Sequence, residues 1–191
     1  PFLWDDDFVS VGYGETAQTW PATALPELDA VHWFPMRKIP VALVTGTNGK
    51  TTTSRMLTRI LVTAGYSVGS TSSDGICIQE DFVESGDWTG PGAARTVMRH
   101  PRVNAAVLEA ARGGLLRRGV GVNACDVSIV TNVSADHLGE YGVHSVADMA
   151  EVKSLITRVV APDGLRVLNA DDEHTVAMAK RGDADIGWFS V

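Results

Sequence analysis

A three-layer, doubly wound α/β fold with a mostly parallel sheet is predicted by three features of the sequence. From Ile39 onward, apolar runs of strand length alternate with stretches of helical period, the pattern of crossover connections. Val41, Ala42, Leu43 and Val44 are apolar without alternation, as in a strand covered on both faces. That strand then breaks through a glycine-containing loop into a helical pattern, in 43-LVTGTNGKTTTSRML-57.

In chain order the reading gives strand 41–46, helix 50–64, strand 67–72, a hairpin near 76–88, helix 91–100, strands 103–109 and 126–131, helix 145–160, strand 165–168, helix 172–181 and strand 185–189. Helix 50–64 rests on Met56, Leu57, Ile60, Leu61 and Ala64 as its apolar face, with Gly65 where a C′ glycine ends a helix. Helix 145–160 rests on Met149, Val152, Ile156, Val159 and Val160, with Lys153 on the edge of that face. A lysine there either snorkels, its stem covering apolar surface and its ammonium in water, or serves a site. Residues 1–38 hold clustered acids (Asp5, Asp6, Asp7), prolines and the aromatics Trp4, Trp20, Trp33 and Phe34, without a sustained period. They read as an irregular lead-in that packs by its aromatics, ahead of one domain over 39–191.

Composition narrows the classes. At 191 residues, 45% hydrophobic and 20% charged, the chain can bury one core. A formal charge of −7 argues against nucleic acid as a partner. Cys77 and Cys125 lack metal-ligand spacing and read as reduced thiols. No segment approaches the roughly 20 apolar residues of a membrane span, and the acidic start, PFLWDDDF, is unlike a signal peptide. A cytoplasmic protein with no membrane partner is expected, with a homo-oligomer left open.

The loop of 43–57 has a physical purpose. A strand leading into a helix N-terminus presents unpaired N–H groups and the positive end of the helix dipole, and Gly46 and Gly49 let a backbone approach an anion closely. Lys50 adds a charge for the outer phosphates, and the Thr51 hydroxyl can ligate Mg²⁺. The general P-loop carries a further glycine where this chain has Val44, so only the short form G-x-x-G-K-T-T is present. In a doubly wound sheet, ligands sit beyond the carboxyl ends of the strands. There Ala105–Leu108 delivers Glu109, a candidate Mg²⁺ ligand beside a P-loop. Strand 126–131 delivers Asn132, Ser134, Asp136 and His137, where the last two offer a metal ligand or a base.

Together GTNGKTTT at 46–53, EAARGGLLRRGVG at 109–121, TNVSADHLG at 131–139, Lys153 in AEVKSLI and LNADD at 168–172 resemble the Mur ligase family, and within it the Mur-like portion of cyanophycin synthetases. The TSSDGI, GDWTGPGAAR and IPVALVTGTNGKT stretches strengthen the second likeness. The resemblance runs from about Ile39 to the end. It implies the central ATP-binding domain of an ATP-dependent amide-bond ligase, in which a carboxylate is phosphorylated, an amine attacks the acyl phosphate, and ADP and phosphate leave.

Carried over by position, Gly46, Thr47, Asn48, Gly49, Lys50, Thr51 and Thr52 would hold the phosphates of ATP, Thr51 and Glu109 one Mg²⁺, and His137 a second. Lys50, Glu109, His137 and Lys153 would carry the chemistry, Lys153 matching a lysine that several members carbamylate. Asn169 and Asp172 would face the adenosine end, while Ser72, Ser73, Asp74, Thr89, Gly90 and Arg112 would shape the pocket for a small-molecule or peptide carboxylate, the second substrate being an amine. The family also implies a C-terminal domain for the amino substrate, which the chain to Val191 lacks, so a fragment or a reduced relative is expected. Two other readings stay open. A P-loop kinase of another class would need neither His137 nor Lys153, and a nucleotide-binding module could have lost catalysis. A GTPase is disfavoured by the lack of an N-K-x-D stretch.

Overall fold

The computed structural model describes residues 1–34, 36–136 and 138–190. Its centre is an eight-stranded sheet built from β4 (Val41–Thr45), β5 (Val68–Thr71), β6 (Gly75–Ile78), β7 (Asp81–Ser85), β8 (Ala105–Glu109), β9 (Cys125–Val130), β10 (Val160–Asn169) and β11 (Asp185–Phe189). The order across the sheet is β11-β10-β9-β4-β8-β5-β6-β7. Pairs from β11 to β5 are parallel, and β6 and β7 add an antiparallel edge. The predicted mostly parallel, three-layer sheet is what the chain forms.

Strands β4 and β8 are buried at every position, as their unbroken apolar runs require. One face packs α1 (Lys50–Thr63), with half-buried Leu57, Leu61 and Val62 on Val44, Val68, Ala105 and Val107. The other packs α2 (Pro91–Arg99), α3 (Arg112–Arg118), α4 (Val146–Lys153), α5 (Leu155–Arg158) and α6 (Glu173–Met178) over a core that includes Leu43, Leu108, Val97, Met149, Ile156 and Leu168. Cys125 lies in that core, where burial pushes its thiol pKa up to about 12 and leaves it inert.

Four sequence expectations need correction. Met56 and Ile60, assigned to the buried face of α1, are 62% and 61% exposed, while Ser54 and Thr58 face inward. The sheet face that α1 meets carries Val44, Val68, Ala105 and Val107, and the Ser54 and Thr58 hydroxyls are buried beneath the helix without a hydrogen-bond partner among the described residues. Gly65 does end α1, at φ +92, and its N–H bonds to Val62 O while Tyr66 N–H bonds to Leu61 O, the Schellman pattern. Helix 145–160 is two helices. The Ser154 hydroxyl donates to Glu151 O and the Thr157 hydroxyl to Ser154 O, competing with the backbone ladder at the break. Helix α3 was missed because Gly113 and Gly114 weaken its pattern. Gly114 has its own reason, since a Cβ there would stand 3.0 Å from the Gly90 Cα where α3 crosses the entry to α2.

The N-terminal region is ordered, not irregular. β1 (Phe2–Trp4), β2 (Phe8–Val11) and β3 (Gln18–Pro21) form an antiparallel meander. It joins the main core through Leu3 and Tyr13, whereas Trp4, Trp33 and Phe34 remain exposed. Arg99 of α2 fastens it, donating to Ser10 Oγ at 2.6 Å, Asp5 Oδ2 at 2.6 Å and Phe8 O at 3.2 Å. Both ends of the Arg99–Asp5 pair are largely buried, so charge-assisted bonds count here. Arg99→Ala is expected to cost about 2 kcal/mol and to speed proteolysis within residues 1–38, with nucleotide affinity unchanged. Chemical denaturation and limited proteolysis check this.

Candidate active site

β4 runs to Thr45, and Val44, where the longer P-loop pattern has glycine, is a fully buried strand residue aligned with Glu109 of β8 and Ile129 of β9. The loop is therefore short, spanning Gly46 to Gly49. Gly46 has φ +152, and a Cβ on it would lie 1.8 Å from Thr131 Oγ1, so no side chain fits. Gly49 takes the left-handed conformation at φ +82 as the N-cap of α1, a turn glycine makes at no steric cost.

The first N–H groups of α1 have no acceptor inside the helix. Those earlier in the loop are committed elsewhere: Thr47 N–H bonds to Asn132 O at 2.9 Å, and Asn48 N–H to Asn132 Oδ1 at 3.0 Å. Anion-binding capacity thus falls to the backbone from Gly49 through Thr52, with Thr52 itself exposed. Lys50 is half-buried and folds back over the loop, its Nζ donating to Thr47 O at 2.9 Å.

Glu109 ends β8 and is 3% exposed. Its Oε2 accepts the Thr51 hydroxyl at 2.9 Å, and that hydroxyl also contacts Ser73 Oγ at 3.2 Å. Burial raises the Glu109 pKa above the usual carboxylate range, against the lowering pull of the Thr51 bond and of Lys50. A buried carboxylate with no ion-pair partner among the described residues, facing a hydroxyl, fits a hard divalent cation. Mg²⁺ in particular takes few protein oxygens, with phosphates and water completing its shell. No cluster of three His, Cys, Asp or Glu suited to a metal occurs among the described residues, and the expected second metal ligand, His137, lies outside them.

Lys153 is not a snorkelling lysine. It is 3% exposed, and its Nζ donates to Gly46 O at 2.8 Å. Burial, then the like charge of Lys50, depresses its pKa to about 8, with Asp136 opposing and Arg112 adding to the effect. The end of α4 is thereby tied to the phosphate loop.

These residues share a cleft of ≈ 310 Å³ lined by Gly46, Lys50, Thr51, Ser73, Asp87, Thr89, Glu109, Arg112, Asp136 and Lys153. A roomier cavity of ≈ 630 Å³ lies between α1 and the β6–β7 edge and includes Met56, Ile60 and Phe82. It is mostly apolar, its charged residues Arg55, Arg59 and Glu80 are engaged in ion pairs, and it holds none of Lys50, Glu109 and Lys153, so the smaller cleft is the candidate site. Arg112 opens α3 and pairs with Glu140 at 2.5 Å. Thr89 is buried, with its hydroxyl on Asp87 Oδ1 at 2.7 Å, and Gly90 caps α2.

Other expected site residues stand outside the cleft. Ser72 Oγ accepts Asp74 N–H in a turn, and Asp74 pairs with Arg55 at 2.7 Å, away from the loop. Asn169 is buried, donating to Thr131 O at 3.0 Å, and Asp172 caps α6 through Oδ1 while Oδ2 takes Val133 N–H at 2.5 Å. Both side chains hold the segment after β9. Asp87 lines the cleft, and Thr131 and Asn132, noted in the sequence only as part of the stretch at the end of strand 126–131, contact the loop. The GDWTGPG and TNVSADHLG stretches were the signals for them, while the contacts of Thr131 and Asn132 with the loop depend on β9 lying beside β4.

A glycine loop between strand and helix, a buried carboxylate on the neighbouring strand and a buried lysine reaching the loop mark an α/β domain of the P-loop type, and comparison with known proteins gives its family. Residues 44–190 match the Mur ligase middle domain, and the chain belongs to the Mur ligase family. Cyanophycin synthetase of Synechocystis sp. is 50% identical over 171 residues, covering 88% of this chain and 19% of that protein. Cyanophycin synthetase of Crocosphaera subtropica is 47% identical over 154 residues, covering 81% and 18%. The chain thus spans about a fifth of these curated relatives. Among solved structures, a UDP-N-acetylmuramoyl-L-alanyl-D-glutamate–2,6-diaminopimelate ligase superposes with a TM-score of 0.66 at 23% identity, covering 81% of this chain and 32% of that one. E. coli FolC, solved in complex with DHPP and ADP, gives 0.61 at 22% identity, covering 78% and 42%. At these identities the likeness is one of fold.

Proposed function

We propose that this chain is the ATP-binding core of a ligase that joins a carboxylate to an amine through an acyl phosphate, as in cyanophycin synthetase. The observation that carries the reading is the Thr51–Glu109 pair beside Lys50 in one cleft, in a chain half identical to such an enzyme. The acid would be a small molecule or peptide and the partner an amino compound. No helix among the described residues is long and apolar enough to cross a membrane; a cytoplasmic site of action is proposed from the likeness to the Mur ligase family alone.

Bringing a carboxylate against a triphosphate sets anion on anion, so charge neutralisation and alignment are most of the task. Lys50 would leave Thr47 O for the outer phosphates, and the N–H groups from Gly49 onward would hold them at the helix N-terminus. Thr51 and Glu109 would hold Mg²⁺, which supplies positive charge against the phosphates when bound. His137 belongs to this proposal as a second metal ligand, and Asn169 and Asp172 as the support of the wall toward the adenosine. With its pKa near 8, Lys153 offers a neutral amine to carbon dioxide far more often than an exposed lysine does, which supports carbamylation there. Arg112, Ser73 and Thr89 would face the acid.

The test is phosphate release from Mg·ATP with acidic peptides, with and without amines. Amine-dependent release is expected. ADP formed without free phosphate, the phosphoryl group staying on an acceptor, would favour a kinase, and ATP binding without release would make these residues a module that needs the remainder of a longer ligase.

A further inference from the structure

We propose that Asn132 is a positioning residue that clamps the phosphate loop in its anion-binding conformation. This rests on the ATP reading above. Because β9 pairs with β4 up to Val130 and Thr45, the residues after each strand emerge side by side. The Asn132 amide then meets both polar groups of one residue: Oδ1 accepts Asn48 N–H at 3.0 Å, and Nδ2 donates to Asn48 O at 3.2 Å. Turned over, the amide would set donor against donor and acceptor against acceptor, so the pairing has one orientation. Asn132 O takes Thr47 N–H, and the Thr131 hydroxyl adds a bond to Asn48 O at 2.6 Å.

The consequence is geometric. With the N–H groups of Thr47 and Asn48 turned toward β9, the peptide leaving Asn48 is held just ahead of the left-handed turn at Gly49. That turn aims the first N–H groups of α1 into the cleft. A loop shorter than the general P-loop has fewer internal contacts to hold its shape, and the side chain from the adjacent strand supplies the restraint. Preorganised donors bind an anion more tightly than donors that must be ordered on binding.

Asn132→Ala and Asn132→Asp test this by hydrogen exchange of the Asn48 amide and by calorimetry with Mg·ATP. Asn132→Ala is expected to speed exchange at Asn48 at least about tenfold and to weaken Mg·ATP binding about tenfold, the loss of roughly one charge-neutral pair of bonds. Asn132→Asp, which keeps the acceptor for Asn48 N–H but cannot donate to Asn48 O, is expected to restore the slow exchange and to bind ATP more weakly than wild type. A merely structural role would lower the melting temperature and leave affinity, measured well below it, unchanged. Wild-type affinity in Asn132→Ala, or unaltered exchange at Asn48, would overturn the clamp. Failure of the wild-type protein to bind Mg·ATP would instead overturn the functional reading, and the Asn48 exchange rates would then decide the clamp alone.

Discussion

Lys50→Ala is expected to weaken Mg·ATP binding about a hundredfold and to abolish detectable phosphate release. Among the described residues the Lys50 side chain makes one hydrogen bond, to Thr47 O of its own loop, so it contributes little to the fold that other residues do not supply. Its charge stands at the mouth of a helix N-terminus, in a cleft shared with Glu109. A bond to a charged group is worth about 1.5–3 kcal/mol, which at about 1.4 kcal/mol per decade spans roughly one to two decades of affinity. Lys50→Arg should recover only part of this, because a planar fork does not replace a compact ammonium at a crowded triphosphate. Calorimetry with Mg·ATP, alongside thermal melting to show that both variants fold, decides it. Affinity unchanged in Lys50→Ala would refute the assignment of the loop.

Lys153→Met is expected to move stability and activity in opposite directions. Burial depresses the Lys153 pKa from 10.5 to about 8. With the amine unmodified, as in protein denatured and assayed free of carbon dioxide, both folded and unfolded chains carry the ammonium below pH 8, and the folded state bears the whole cost of burying it. Between pH 8 and 10.5 the unfolded chain binds more protons, so stability rises with pH, and above 10.5 the penalty is gone. A depression of this size corresponds to roughly 3 kcal/mol. Removing the amine also leaves Gly46 O without its partner, at a cost of about 1–2 kcal/mol. At pH 7 the variant should therefore be about 1–2 kcal/mol more stable than wild type, and above pH 10.5 less stable than it. Phosphate release should be lost. Urea denaturation across this pH range, with release assays at neutral pH, is the check. A variant that is less stable at pH 7, or that still releases phosphate, would contradict this account of the buried lysine.

The buried strands were legible because Val41 to Val44 and Ala105 to Leu108 carry no alternation, and only a two-sided environment rewards that pattern. The loop was legible because glycine, lysine and threonine in that order have few other uses between a strand and a helix. The phase of α1 was not legible: its sequence offers Met56 and Ile60 as readily as Ser54 and Thr58 to the sheet, and packing against the sheet made the choice. Nor was the N-terminal meander, whose short strands are held by Arg99 from a helix nearly ninety positions later.

The sequence by itself determined the parallel α/β order, the phosphate loop and the carboxylate at the end of its neighbouring strand, since each is written in contiguous residues whose chemistry is local. Tertiary structure decided the state of Lys153, the commitment of Asn169 and Asp172 to the segment after β9, and the clamp of Asn132 on Asn48. Those depend on which strands lie side by side, and adjacency in a sheet comes from crossover connections that no single stretch of sequence encodes.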